Sequence, residues 1–347
     1  MPRRPAGLGP LRAAGLRSAD CQRGEILLGD SQRAAAAREL DALKSLGAQA
    51  IVLQICYPSL TPAFRDPQPF LDYYANLANE VRSRDMKLLV EHQSLLAAYS
   101  AVDPRPYYRK LTKQRFERER FEEIKTILLA AQPDYLTLVS EPRVHNAGLK
   151  LTVKEWRSQI RRTVERLAQQ LGAFSTLLGA GSSLGDDPAY VEAFARIDGL
   201  SYIDLHLYPL AVGGESSLQR LLTWPERIRS IDTRKRIVMS ELWLAKVGAS
   251  EAANASVDPQ ILARDVYRFW AALDLKFLRV AANAASVSRL ELIAPSRSEY
   301  LFSYLDYSDP LTFPLRPREL LELARQRAQD AISSGRTSDT GLTFRDM

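Results

Sequence analysis

The stretch DYLTLVSEP, residues 134–142, runs apolar and β-prone, then ends on Ser140, Glu141 and Pro142. A buried strand that finishes on a carboxylate needs a reason, because an uncompensated charge is costly away from water. A second stretch, RIVMSELWLAK at 236–246, has the same shape, with Glu241 where the first has Glu141. Either the two glutamates are unrelated surface residues, or they are a pair. The segments around them decide between these readings.

From residue 25 onward the chain alternates. Apolar runs that read as buried strands occur at 50–58, 86–93, 134–142, 174–182, 200–210, 236–244 and 276–283. Helical patterns fall between them, at 31–46, 68–84, 110–131, 152–171, 188–197, 216–231 and 258–274, with a last one at 317–333. Leu71, Tyr74, Leu77 and Val81 recur at helical spacing. So do Trp156, Ile160, Val164 and Leu167, behind a Thr152/Glu155 capping box and ahead of a stop at Gly172. Strands that alternate with helices make a parallel sheet with helices outside it. Seven such strands fit a closed (β/α)8 TIM barrel better than an open sheet, and no GxGxxG follows the first strand to suggest dinucleotide binding. EILLG at 25–29 is the candidate for a short or incomplete first strand. The expected organisation is a disordered leader over 1–24, a barrel domain over 25–333 and a flexible tail over 334–347.

The bulk properties narrow the class. The chain has 347 residues, 46% hydrophobic and 25% charged, with a formal net charge of +6. Five arginines and a single aspartate lie in residues 1–24, so most of the positive balance belongs to the expected leader. Deleting that leader is expected to leave the melting temperature nearly unchanged. A basic excess confined to one end argues against a nucleic-acid partner. No apolar run reaches the length of a membrane span, and the first residues lack the apolar core of a signal peptide. The compartment stays open, with export possible if the start is misassigned, and so does the oligomeric state. Cys21 and Cys56 are too few for a disulfide scaffold or zinc site and read as free thiols. Three histidines without an HxH pair make a metal-dependent hydrolase a poor fit, and no cofactor is expected.

In a barrel of this kind the active site lies at the C-terminal ends of the strands. Tyr57 ends one strand, and Glu91, His92 and Gln93 end another. Glu141 follows the next, His206 and Tyr208 end the strand over 200–210, and Glu241 and Trp243 close the strand over 236–244. Counted from EILLG, the two glutamates end strands four and seven.

The order and spacing of VSEP, LHLYP and MSELW resemble the clan A glycoside hydrolases over roughly residues 30–330. The resemblance implies a (β/α)8 barrel with an acid/base glutamate after strand four and a nucleophilic glutamate on strand seven. Glu141 and Glu241 hold those positions. It also implies a strand-six His or Tyr beside the nucleophile, matched by His206 and Tyr208. Ser140 stands where the clan usually has an asparagine that contacts the sugar 2-hydroxyl. The clan's arginine at an early strand end has no obvious counterpart.

The implied activity is retaining hydrolysis of a β-linked saccharide by two carboxyl groups about 5–5.5 Å apart. Tyr57, His92, Ser140, His206, Tyr208 and Trp243 are the expected substrate-binding residues. A non-catalytic carbohydrate-binding or structural barrel is the alternative. Trp156, Trp224 and Trp270 read as helix packing, and the loop at 179–187 reads as a turn rather than a phosphate cradle. His145 follows Glu141 in a loop and reads as a surface residue.

Overall fold

The computed structural model describes residues 9–98, 100–209, 211–212, 215–247, 251 and 258–347. Eight parallel strands close into a barrel: β1 (Leu11–Gly15), β2 (Ala50–Tyr57), β3 (Lys87–Ser94), β4 (Tyr135–Thr137), β5 (Leu177–Ser183), β6 (Tyr202–Leu207), β7 (Arg236–Leu242) and β8 (Leu292–Pro295). The ring closes where β1 pairs with β2 on one side (Ala13 opposite Ala50) and with β8 on the other (Leu11 opposite Leu292). The longer helices between strands are α1 (Asp30–Ser45), α2 (Gln68–Ser83), α3 (Lys113–Ala131), α4 (Val153–Leu171), α5 (Ala189–Ala195), α6 (Ser217–Ile231) and α7 (Ala271–Val287). After β8 come α8 (Pro317–Ser333) and α9 (Asp339–Asp346).

The barrel has two apolar layers, set by the two-residue period of a strand. Ala13, Ala50, Val52, Leu89, Tyr135, Tyr202, Val238 and Leu292 pack together inside it. The alternate residues, among them Ile51, Leu53, Ile55, Leu88, Val90 and Ile203, pack outward with helix residues such as Phe116, Trp156 and Leu167. Above the inner layer the inward positions turn polar, which builds the floor of a site. β5 approaches β6 so closely that a Cβ on Gly181 would collide with the Asp204 carbonyl oxygen, so glycine is required there.

Five expectations need correction. The first strand is Leu11–Gly15, not EILLG, and residues 9–24 belong to the barrel rather than to a disordered leader. EILLG lies in irregular 3-10 turns over Cys21–Leu28, with Ile26 left 53% exposed. LRAAG escapes notice because its inward residue, Ala13, is small; the bulk that fills the barrel comes from Tyr135 and Tyr202 opposite. KFLRVAAN is the middle of α7 and not a strand, and LIAP (292–295) is the eighth strand. Asp274, Phe277, Leu278, Ala281 and Ala285 are the buried face of that helix, a 3.6-residue pattern hidden in a generally apolar run. Residues 334–347 are ordered: α9 is capped by the Ser338 hydroxyl, which accepts from the Gly341 N–H, and Phe344 is fully buried. Cys21 and Cys56 are disulfide-bonded, with Cα atoms 5.6 Å apart, so neither is a free thiol. Among the described residues no helix is long and apolar enough to cross a membrane.

Candidate active site

The inward polar positions at the C-terminal strand ends include Gln54 on β2, Glu91 and Gln93 on β3, Thr137 on β4, Asp204 and His206 on β6, and Ser240 and Glu241 on β7. The register places Gln54 beside Glu91 and Glu91 beside Thr137, so they share one face. β7 contributes two consecutive residues because its register with β6 slips: Asp204 pairs with Val238, but His206 pairs with Glu241. Such a bulge re-aims a side chain, and it brings Ser240 and Glu241 both to the interior.

His206 sits at the centre, fully buried. Its Nδ1 lies 2.9 Å from Glu141 Oε1 and 3.7 Å from Glu241 Oε2. The two carboxylates are therefore separated, at their nearest oxygens, by no more than the sum of those distances. The other ring nitrogen, Nε2, lies 2.8 Å from Glu91 Oε1 and 3.1 Å from Ser240 Oγ. Glu241 Oε1 accepts from the Gln54 amide and from the Gln93 amide, the latter at 2.9 Å. Its Oε2 accepts from the Tyr208 hydroxyl. Below, Asp204 accepts from Thr137 Oγ1 and Ser240 Oγ, each at 2.7 Å. Glu141 and Glu241 each keep 8% of their surface accessible, whereas Glu91, Asp204, His206 and Ser240 have none.

This environment pushes the two glutamates apart in acidity. Burial is the largest influence on Glu141 and raises its pKa, against the hydrogen bond and charge of His206. Burial also opposes the charge on Glu241, but His206, Tyr208 and Gln93 outweigh it and hold its pKa below the usual carboxylate value. His206 loses solvation too, yet Glu241 and Glu91 beside it keep its pKa well above the ordinary imidazole value. Burial and then the charge of Glu241 push Glu91 up to about 8.

Of the expected residues, the structure brings Glu141, Glu241, His206 and Tyr208 together. Ser140 is fully buried beside them, and its hydroxyl has no hydrogen-bond partner. Tyr57 and His92 are not in the site: both are outward positions on their strands. The Tyr57 hydroxyl donates to Glu119 of α3 at 2.6 Å, and its ring stacks on Tyr108. His92 Nε2 lies 2.9 Å from Glu123, also on α3. Trp243 is 2% exposed, with its indole N–H donating to Asp265 at 3.1 Å and its ring packed on Tyr300. It is a packing residue, not a platform facing the carboxylates.

His145 is 3% exposed rather than on the surface, and its Nδ1 accepts from the Ser94 N–H at 3.1 Å. Glu91 and Gln93, named only as strand-end residues, belong to the site, and so do Gln54, Asp204 and Ser240, which the sequence reading did not name. Their signal was the even spacing of polar residues on otherwise apolar strands. Arg17, just after β1, helps enclose a small cavity with Asp20, Gln54, Glu241 and Ser296. It supplies an arginine at an early strand end, ion-paired to Asp20 at 3.2 Å and Glu299 at 3.3 Å.

One oxygen each from Glu91 and Glu241 and one nitrogen of His206 lie within 4.8 Å of one another, close enough to hold a cation. Both ring nitrogens are already engaged by carboxylates and the ring favours its charged form, so a cation would have to displace a proton.

No protein-family model matches the chain, and no curated protein matches it. Solved structures do. GH5_18 from Bifidobacterium longum, in complex with Manβ1-4GlcNAc, superposes with a TM-score of 0.61 at 13% identity, covering 98% of this chain and 77% of that one. A broad-specificity GH5-4 endoglucanase from Clostridium longisporum gives 0.55 at 9% identity, covering 94% and 97%. An exo-β-1,4-mannosidase from an Opitutaceae bacterium gives 0.54 at 14% identity; the match covers 94% of this chain but only 60% of that longer one. At these identities the likeness shows the fold alone, a (β/α)8 barrel like those of these glycoside hydrolases.

Proposed function

We propose that this protein is a retaining glycoside hydrolase acting on a β-linked saccharide, with Glu241 as nucleophile and Glu141 as acid/base. The observation that carries the reading is the meeting of the two carboxylates at His206 Nδ1, at 2.9 and 3.7 Å. That closeness is compatible with the separation of about 5–5.5 Å needed for a glycosyl-enzyme intermediate.

In the first step a Glu241 oxygen bonds to the anomeric carbon as the glycosidic bond breaks. The Glu141 proton passes to the departing oxygen. In the second step Glu141, now ionised, takes a proton from water, the water oxygen bonds to the anomeric carbon, and Glu241 leaves. A raised pKa suits a proton donor and a lowered one a nucleophile, and the two glutamates are shifted in those senses. Tyr208 and Gln93 donate to Glu241 and hold it for attack.

The test is hydrolysis of a panel of aryl β-glycosides, including β-mannosides and β-glucosides, with the first-formed anomer read by NMR. β-Mannosides are included because Manβ1-4GlcNAc is the ligand in the Bifidobacterium complex. Release of a β-anomer is expected. An α-anomer would exclude the retaining mechanism, and no turnover across the panel and its oligosaccharide counterparts would favour a non-catalytic barrel.

A further inference from the structure

Glu91 has no task in that mechanism, yet it is fully buried beside the reacting groups. Its Oε1 lies 2.8 Å from His206 Nε2 and 3.0 Å from the Ser240 hydroxyl, and its Oε2 accepts from the Gln93 amide at 3.3 Å. We propose that Glu91 is a positioning residue that acts through His206, holding the imidazole so that its other nitrogen serves Glu141 and Glu241 together. The kinetic part of this inference rests on the glycosidase reading.

The argument is geometric. An imidazole presents two nitrogens, and the bond made by one fixes what the other can do. Nδ1 can face both glutamates only while Nε2 is tied to the opposite wall. That wall is β3, through Glu91, with Ser240 of β7 as the second contact. Asp204, Glu141, Glu241, His145 and Asp186 are other titratable groups around the ring. Glu91 is also held in place, since Gln93 donates to both Glu91 and Glu241 and so joins the two carboxyls. Burial and the charge of Glu241 raise the Glu91 pKa to about 8, and in either protonation state its Oε1 can face Nε2. Its unprotonated oxygen still accepts from Nε2–H.

The test compares Glu91→Ala, Glu91→Asp and Glu91→Gln. Imidazole nitrogen NMR is tractable because the chain has three histidines. In the wild type, His206 is expected to show two slowly exchanging N–H signals. Glu91→Ala and Glu91→Asp, which withdraw the acceptor, should lose that pattern. They should also lower kcat about 100-fold, the cost of a small misplacement of reacting groups, with KM changed less than about threefold. Glu91→Gln keeps an acceptor oxygen and should restore the N–H pattern and at least about tenfold of the lost kcat. Wild-type kcat and an unchanged His206 spectrum in Glu91→Asp would overturn the proposal. So would a wild-type ring with no proton on Nε2, a measurement that needs no variant to fold. If the wild type hydrolyses no glycoside, the glycosidase reading fails, while the spectra still decide whether Glu91 holds His206.

Discussion

Glu141 follows the fourth strand and Glu241 lies on the seventh, a hundred residues apart, yet both reach the same nitrogen of His206, at 2.9 and 3.7 Å. The contacts around them are unequal. Glu241 accepts from Gln54, Gln93 and Tyr208, whereas the Glu141 carboxylate is held, among the described residues, by His206. That inequality separates the two proposed roles and supports distinct failures when each is removed.

Glu241→Ala is expected to abolish turnover of every substrate, because no other group can form the glycosyl-enzyme. Glu141→Ala should lose about 100-fold or more on substrates with poor leaving groups, which need a proton. An activated aryl glycoside should still form the intermediate in that variant, and azide, which needs no general base, should speed its breakdown. The measurement is turnover of activated and unactivated substrates with and without azide. Equal loss on both, with no azide effect, would remove Glu141 from the acid/base role.

The dependence of kcat/KM on pH should be bell-shaped. Glu241 must be ionised, and its pKa is held low, so the acid limb should lie below the ordinary carboxylate range. Glu141 must be protonated, and its pKa is raised, so the alkaline limb should lie above that range. Tyr208→Phe removes a donor to Glu241 and should move the acid limb to higher pH. An acid limb that stays put in this variant would show that Tyr208 does not hold the nucleophile charged.

Stability should fall with pH through a buried carboxyl between α3 and the barrel. Glu123 is buried, which raises its pKa to about 8, against about 4.3 in an unfolded chain. The folded form therefore keeps a proton that the unfolded form releases, and stability present at low pH is lost between those two values. Glu123→Gln removes this loss while keeping an acceptor for the Leu60 N–H and the Thr61 hydroxyl. Relative to the wild type it should gain on the order of 1 kcal/mol per pH unit across that window. Urea unfolding at several pH values measures it, and parallel curves for the two proteins would contradict it.

The Cys21–Cys56 bridge closes a loop with a sequence separation of 35. By the loop-entropy relation its reduction should cost about 3–4 kcal/mol. Thiol titration of the denatured, unreduced chain should find no free thiol. Two titratable thiols would show that the bridge does not form.

Removal of residues 1–16 should abolish cooperative thermal unfolding, because β1 then no longer joins β2 to β8. A truncated chain with the melting temperature of the full one would show that the barrel closes without this strand.

Local pattern determined much of this protein. Capping boxes, helical periodicity and apolar runs place α1 to α6, α8 and the strands from β2 to β7 close to where they form, because those signals depend on neighbours in sequence. Glu141 and Glu241 stood out for the same reason, as carboxylates ending apolar strands. The facing of the strands was decided by the closed barrel alone. A parallel strand buried on both sides reads as continuous apolar sequence, so QICY and EHQS do not reveal which residues point inward. Barrel closure puts Gln54, Glu91 and Gln93 inside and sends Tyr57 and His92 out to α3. A one-step bulge on β7 turns Glu241 toward His206. The strand LRAAG and the bridge between Cys21 and Cys56 likewise exist only as long-range pairings. Their partners lie tens to hundreds of residues away, where no local pattern can record them.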